Sequence, residues 1–356
     1  MEIATPSAAI HTVYRKTILK RIVFIGVLAG VALVLAATGC TVGPMKFRLS
    51  TIVKVLLDWC FGGAVDVPAD AVMIITRIRL PRVVLALLSG FGLAVAGMQM
   101  QVILRNPLAS PFTLGVSAGA ALGAGLAIVT GFSLAGGRYM LVANAFVFAL
   151  IPCGVIFILA RLGASGYGML ILAGIAMNFI FSSASSLLSY LSNSEELKAL
   201  SLWMMGNLGR ATWSDIGILS AVFAVTLPVL FLQNQKLNVL NAGDESAEGL
   251  GVNVERTRII ILTVTALISS AIICFTGVIG FVGLVAPHIV RLLIGNDARF
   301  LMPASGLFGA VFLLGADIVA LKLIEPAVIP VGIVTSFAGG PLLLYLIIRK
   351  QRERAW

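Results

Sequence analysis

The chain has 356 residues, of which only 11% are charged and 59% are hydrophobic. Ordinary globular domains carry about a quarter charged residues, so this composition excludes a soluble enzyme. The apolar runs are continuous, which excludes an outer-membrane barrel, whose strands alternate apolar and polar residues. We therefore predict a single transmembrane domain over residues 1–356, all α-helical and polytopic, with about ten transmembrane helices.

The net charge of +10 comes from 25 Lys and Arg against 15 Asp and Glu. Basic residues flank membrane spans and set their orientation, so this charge needs no nucleic-acid partner. No basic stripe interleaves with aromatic residues in the way that nucleic-acid binding favours. The four cysteines show no metal-binding spacing, so we predict neither a metal site nor a cofactor. Whether Cys40 pairs with Cys60 stays open.

The apolar runs predict ten helices in a membrane region from residue 18 to residue 348. In chain order these helices cover 18–40, 80–104, 112–131, 139–161, 168–190, 213–232, 259–276, 278–293, 303–320 and 330–348. A division at Thr276-Gly277 is needed because one helix over 259–293 would be too long. The first run ends in Ala37-Thr38-Gly39-Cys40 and resembles a lipoprotein signal peptide, but its length and the many later spans favour an uncleaved first span.

An even number of spans places both chain ends on one side of the membrane, and the positive-inside rule makes that side cytoplasmic. Three arginines, Arg77, Arg79 and Arg82, then lie on the outer side, which is contrary to the positive-inside rule. Guanidinium groups bind carboxylates in a fixed fork. The cluster therefore indicates a docking surface for a partner, with contact to lipid headgroups as the alternative.

The longest inner connection covers 233–258 and is too polar to span a membrane. Its centre, Gly243 to Val252, predicts one or two short helices broken at Gly249 and Gly251. The two longest outer connections are predicted as loops, at 41–76 and 191–212.

Two patterns concern how the helices pack. Spans two to five and seven to ten form two blocks of four, separated by an odd number of crossings, so the second block is expected to lie inverted, as in many transporters. Gly115, Gly119 and Gly123 repeat every four residues. Small residues on one helix face allow a neighbouring helix to approach closely in lipid.

Few polar residues inside the spans could carry chemistry. We interpret His288 as a packing or hydrogen-bonding residue and not as a ligand. Asp317 lies near the outer end of its span, where it can reach water or pair with a base. The scarcity of ionisable residues inside the spans argues against transport that is coupled to an ion gradient. No phosphate-binding loop or catalytic set of side chains is present in the sequence, so we predict a protein that is not an enzyme. The fifth span carries Asn178 and a run of serines, which either bond back to their helix or line a water-filled path.

Five ordered blocks of sequence carry a resemblance to a known family. They are Arg79 to Arg82 with Gly97 to Gly123, then Gly243 to Val252, Gly280 to Arg291, Ala316-Asp317, and Ile329 to Thr335. Together they resemble the FecCD family, the iron-chelate and cobalamin uptake permeases of ABC importers, and cover nearly the whole chain.

The resemblance implies a permease subunit that pairs with a second copy, identical or related, around a central path in the bacterial cytoplasmic membrane. It also implies cytoplasmic ATP-binding subunits, which hydrolyse ATP, and a periplasmic or lipid-anchored substrate-binding protein. The inner connection would couple the permease to the ATP-binding subunits. The coupling residues it assigns are Gly243, Asp244, Glu245, Ala247, Leu250 and Gly251.

The same resemblance assigns Arg79 and Arg82 to docking of the binding protein, and Lys322 lies close to a further basic position of the family. It places the fifth helix and the preceding loop near the inner gate. The candidates for the translocation path are therefore Gly163, Ser165, Gly168, Asn178, Ser182 and Ser186.

The favoured cargo is a ferric siderophore. Haem and cobalamin importers of the same family are alternatives, because all three cargoes are bulky chelates. An ion-coupled secondary transporter is less favoured, since it would need ionisable groups inside the spans. A membrane-embedded enzyme would need acidic, His or Cys side chains clustered at one depth, and the sequence offers no such cluster.

Overall fold

The computed structural model describes residues 6–62, 67–161 and 167–354. Within these ranges the chain forms helices and no β-strand. A π-helical turn, Ile75–Arg79, joins α3 to α4, and a 3₁₀ turn, Gly137–Tyr139, precedes α6. In chain order the α-helices are α1 (Pro6–Thr41), α2 (Leu49–Phe61), α3 (Ala69–Ile74), α4 (Leu80–Ile103), α5 (Val116–Thr130), α6 (Met140–Arg161), α7 (Tyr167–Leu191), α8 (Ser194–Met204), α9 (Trp213–Leu240), α10 (Asp244–Gly249), α11 (Val254–Thr276), α12 (Val282–Ile294), α13 (Ala298–Lys322) and α14 (Val331–Arg354).

The apolar helices confirm the prediction of an all-helical polytopic membrane protein. In the part of the chain that the structure describes, seven segments are long and apolar enough to cross a membrane; they belong to α1, α3–α4, α6, α7, α9, α11 and α13. Three shorter apolar helices, Val116–Thr130, Val282–Ile294 and Val331–Leu346, correspond to the remaining predicted spans. The predicted division after Thr276 is also correct, because α11 ends there and Gly277 has a φ of +70°.

Three predicted connections are wrong in detail, because helices made partly of polar residues escape a search for apolar runs. The connection 41–76 contains α2 and α3, and 191–212 contains α8, which begins with a capping box between Asn193 and Glu196. The inner connection is shorter than predicted and covers 241–253 instead of 233–258. There α9 continues to Leu240, since its polar residues are buried and Asn234 accepts a hydrogen bond from Gln99 of α4.

The bundle has two ends, which we name the α10 end and the α2 end after the short helices they carry. α4 runs from the α2 end, where Arg82 meets Asp317, to the α10 end, where Arg105 meets Asp244. α11 runs the opposite way, starting beside α10. Helices α4–α7 and α11–α14 therefore form the two inverted blocks that were predicted.

The packing follows the same inverted relationship. α4 packs against α12 and α13 of the second block, and its counterpart α11 packs against α5 and α6 of the first block. The second helix of each block, α5 or α12, is short and begins directly after a residue with positive φ: Gly115 at +87° and Phe281 at +67°. The repeat is thus visible in backbone conformation where the sequence shows only a faint echo.

The irregular stretch before α5 lies inside the protein and needs internal hydrogen-bond partners. Gly115 lies against Pro152 and Met177, which are in the middle of α6 and α7. Asn178 of α7 donates from Nδ2 to the carbonyl oxygens of Phe112 and Thr113, each at 3.2 Å. Non-helical backbone at membrane depth is tolerated only where protein or water satisfies it, so Asn178 has a structural role in the single subunit.

α4 lies at the centre of the bundle, and glycines allow its neighbours to reach it. In the segment Ala69–Ile103, 78% of an 18-residue apolar stretch is buried, a larger share than in any other long apolar segment described. A Cβ at Gly90 would overlap the carbonyl oxygen of Gly309, and a Cβ at Gly97 would overlap that of Gly283. Similarly, Gly119 and Gly123 of α5 lie against backbone carbonyls of α6, as their spacing predicts.

At the α10 end, one carboxylate joins three helices. Asp297 precedes α13 and accepts hydrogen bonds from Arg21 of α1 at 3.2 Å and from Asn238 of α9 at 2.9 Å. The hydrogen bond from the Arg299 side chain holds the pKa of Asp297 at about 2. The contribution of Asp297 to stability is therefore fully present at neutral pH and is lost as the pH falls from its ordinary pKa of 3.8 through about 2.

We expect Gly97→Ala to lower the free energy of unfolding by about 1–3 kcal/mol, because the added methyl group forces α4 and α12 apart. Gly217→Ala is the matched control, since no atom lies within 4 Å of its Cβ position in α9. Denaturant titration in detergent micelles would measure both variants. Equal stability of the two variants would contradict the close α4–α12 contact.

Candidate functional site

The segment 241–253 forms a compact element at the α10 end, between α9 and α11. Gly243, with a φ of +127°, precedes α10, and Gly251, with a φ of +80°, follows it. Both conformations favour glycine because it has no Cβ. The short helix and its breaks agree with the sequence prediction, although there is one helix here and not two.

The predicted coupling residues divide into anchors and exposed positions. Ala247 is fully buried against the bundle, whereas Glu245 and Gly251 are exposed. The side chain of Leu250 is 73% exposed, on a polar segment that is fixed to the bundle.

Asp244 holds the segment to the bundle. Its Oδ1 accepts from Nη2 of Arg105 at 2.8 Å, and its Oδ2 lies 3.4 Å from Nη2 of Arg258. Arg105 follows α4 with a φ of +48° and also donates to the carbonyl oxygen of Leu240. Nothing in the sequence pattern singled out Arg105 or Arg258 for this role. The available signal was an arginine directly after the span of α4 and another just before the span of α11.

At the α2 end, Arg79 is part of the protein interior. Only 7% of Arg79 is exposed, and its guanidinium donates to the carbonyl oxygens of Cys40, at 2.8 Å, and of Met45. It also lies over the ring of Phe47, 4.8 Å from the centroid. These internal contacts give Arg79 a structural role within the subunit. Its docking role stays a prediction, in which an incoming carboxylate would compete with these carbonyl groups.

Arg82 is also held internally. Its Nε and Nη2 donate to the two carboxylate oxygens of Asp317 on α13, both at 2.8 Å, and the Asp317 side chain is only 2% exposed. Of the two alternatives predicted for Asp317, reaching water or pairing with a base, the structure shows the pair with a base. Arg77, in the π-helical turn, and Lys322, the last residue of α13, are among the exposed bases at this end.

The path candidates lie partly outside the described residues, where Gly163 and Ser165 fall. Gly168 is exposed near the start of α7. Ser182 and Ser186 are also exposed on α7, and the Ser186 hydroxyl donates to the Ser182 carbonyl oxygen at 2.9 Å. The serines thus bond back to their helix and still present hydroxyl oxygens on its exposed face. The first interpretation of the serine run, bonding back to the helix, therefore holds for Ser186, and the lining of a path stays a prediction.

Among the described residues, no three His, Cys, Asp or Glu side chains come together in a way that could hold a metal ion. The two ends therefore offer charged surfaces for protein contacts, and the long helices between them offer a mostly apolar barrier with one hydroxyl-bearing face. This division of chemistry suits a subunit that moves a solute and receives its energy from elsewhere.

Comparison with known proteins identifies the family. The profile of the FecCD transport family matches residues 13–349. The chain belongs to this family. It is a permease subunit of an ABC importer in the cytoplasmic (inner) membrane and works with ATP-binding subunits, a binding protein and a second permease. Hydrolysis of ATP takes place in the partner subunits.

The relatives include permeases for different iron compounds. The hemin transport system permease protein HmuU of Yersinia pestis is 45% identical over 281 residues, covering 78% of this chain and 84% of that protein. The Fe(3+)-citrate import system permease protein YfmE of Bacillus subtilis is 33% identical over 330 residues, covering 92% and 95%. A solved structure is described as an inward-facing conformation of a metal-chelate type ABC transporter. It is 29% identical to this chain, with a TM-score of 0.79, and the match covers 91% of this chain and 98% of that one.

We expect Asp244→Ala to loosen the segment 241–253, because it removes carboxylate contacts worth about 1 kcal/mol at this exposure. A nitroxide spin label at position 250 would report higher mobility in that variant. Glu245→Ala, which removes an exposed neighbouring carboxylate, should leave the spectrum unchanged. Equal spectra for the two variants would contradict the anchoring role of Asp244.

We expect Asp317→Asn to lower the free energy of unfolding by about 3 kcal/mol, because it leaves the Arg82 guanidinium without its buried counter-charge. Glu195→Gln, an exposed acid on α8, should change it by less than about 0.5 kcal/mol. Unfolding of both variants in the same detergent would measure the difference. A loss below about 1 kcal/mol for Asp317→Asn would show that the pair does not join α4 to α13.

Proposed function

We propose that this permease carries a ferric siderophore inward across the cytoplasmic membrane by alternating access. Family membership supports the transport role, and a relative named for Fe(3+)-citrate import supports a ferric chelate of oxygen ligands as cargo. The observation that carries the proposal is the exposed hydroxyl face of α7. Hydroxyl groups can solvate a polar chelate without offering it a binding charge.

In this proposal, α7 faces both the path and a second permease copy. Its exposed face combines the hydroxyl groups of Ser182 and Ser186 with large apolar side chains, of which Phe179 is 71% and Tyr190 85% exposed. Only 22% of the 18-residue apolar stretch of α7 is buried within one subunit. The apolar part would pack against the second copy, and the hydroxyl part, together with Gly168, would border the path.

The α10 end would face the cytoplasm, with both chain termini on that side. Seating of the segment 241–253 on an ATP-binding subunit would place Leu250 and Glu245 at the contact, with Asp244 and Ala247 holding the segment to the bundle. Arg105 and Arg258 tie Asp244 to α4 and α11. Movement of the segment 241–253 would therefore be transmitted to these two helices, one in each inverted block. Coupling of this kind requires different contacts in the two states.

The α2 end would receive the substrate-binding protein. Exposed Lys322 and Arg77 offer charges that acidic residues of that protein could meet directly. For Arg82, a docking carboxylate would exchange with Asp317. Docking could therefore loosen the contact between α4 and α13 at this end.

Haem is the second candidate cargo. The observation in its favour is the 45% identity with a permease named for hemin transport, which exceeds the 33% identity with the permease named for Fe(3+)-citrate import. Haem is flat and largely apolar, so its path would need aromatic and aliphatic lining more than hydroxyl groups.

The test is uptake into proteoliposomes that contain the permease with its own ATP-binding subunit and binding protein. We expect ATP-dependent uptake of a radiolabelled ferric hydroxamate siderophore, unaffected by excess haem. Replacing both Ser182 and Ser186 by Ala should reduce the rate several-fold, whereas Ser133→Ala, outside the helices, should not. ATP-dependent uptake of haem alone would overturn the siderophore proposal in favour of the second candidate.

A further inference from the structure

A second polar feature lies at the α10 end, beside the coupling segment. It is a cavity of about 380 Å³ at the end of the central helix α4. Its walls come from the last turn of α4, from 240–243 at the end of α9, from Arg291 of α12 and from Asn296. We name it the Arg291 pocket. Among the described residues that line it, the charged ones are Arg105 and Arg291, both positive.

Arg291 is held in a fixed position by neutral groups. Its Nη1 donates to Oε1 of Gln101 at 3.1 Å, and its Nε donates to Oδ1 of Asn296 at 3.0 Å. Gln101 is itself fixed, since its Nε2 lies 3.3 Å from the carbonyl oxygen of Leu284. A guanidinium has five N–H donors, and these two bonds use two of them. No carboxylate is paired with Arg291 among the residues that the structure describes.

This arrangement differs from that of other arginines at the same end. Arg21 and Arg299 both pair with Asp297, and Arg105 pairs with Asp244. A partly buried charge is costly unless an opposite charge meets it. A guanidinium held by amides beside a polar cavity is instead prepared for an oxyanion, because its direction is set before the anion arrives.

The position of the pocket favours a protein carboxylate over a lipid headgroup. α4 is the most buried long segment of the bundle, so a pocket at its end lies under the middle of the subunit and away from its lipid-facing edge. Ala242 and Gly243, which form one wall, lead directly into α10. Whatever seats on the segment 241–253 must also cover this pocket.

We propose that the Arg291 pocket receives an acidic side chain of the ATP-binding subunit. This rests on the proposed seating of that subunit on the segment 241–253 and adds a second point of attachment, on α12 and not on the coupling segment. The carboxylate would meet Arg291 on a helix that packs against α4 and α13. The ATP-binding subunit would thus hold the second inverted block directly.

The test is the affinity between the permease in lipid nanodiscs and its own ATP-binding subunit. We expect Arg291→Gln to raise the Kd about tenfold and to reduce its dependence on salt, because a charge-assisted contact is lost. Arg291→Lys should recover part of the affinity. Lys236→Gln removes the same charge from an exposed site on α9 at this end and should change the Kd less than twofold.

Equal Kd values for Arg291→Gln and Lys236→Gln, with normal binding by the unaltered permease, would overturn this inference and leave the seating proposal intact. Failure of the unaltered permease to bind at all would overturn both. A photo-reactive benzoyl-phenylalanine in place of Asn241, at the pocket wall, gives a test that keeps Arg291. A crosslink to a peptide of the ATP-binding subunit that contains Asp or Glu supports the inference, whereas a crosslink only to phospholipid, or none, contradicts it.

Discussion

The whole structure depends on one constraint: inside a bilayer, every backbone polar group and every charge must find its partner within the protein. The irregular backbone before α5 satisfies it through Asn178, which bonds to the carbonyl oxygens of Phe112 and Thr113. The charge of Arg82 satisfies it through Asp317. Because such partners come from distant parts of the chain, the same bonds that satisfy polar groups also fix which helices are neighbours.

This constraint also explains how the chemistry is distributed. Ion pairs gather at the two ends, where Asp244 and Asp317 each join helices from both inverted blocks. Between the ends, α4 touches its neighbours closely through Gly90 and Gly97. In the mechanism proposed above, partners would act at both ends, where these ion pairs join the two blocks.

The sequence predicted the features that depend on composition and spacing. Apolar length identified the spans, and Gly277 correctly divided α11 from α12. Which side chains and backbone groups pair with one another could not be predicted, because these pairs join residues that are far apart in sequence. Arg79 and Arg82 were therefore interpreted as surface residues, although the fold turns both guanidinium groups towards internal acceptors. The polar end of α9 was missed for a related reason, since Asn234 looks like a loop residue until Gln99 lies beside it.

In the proposed mechanism, the ATP-binding subunits act on this permease at its α10 end. Hydrogen–deuterium exchange of the permease in nanodiscs, with and without those subunits, tests it directly. We predict that the subunits slow exchange in 241–253 and at the end of α12, and that ATP changes this protection without changing α2. Protection confined to the α2 end, or unaltered exchange in 241–253, would contradict the account.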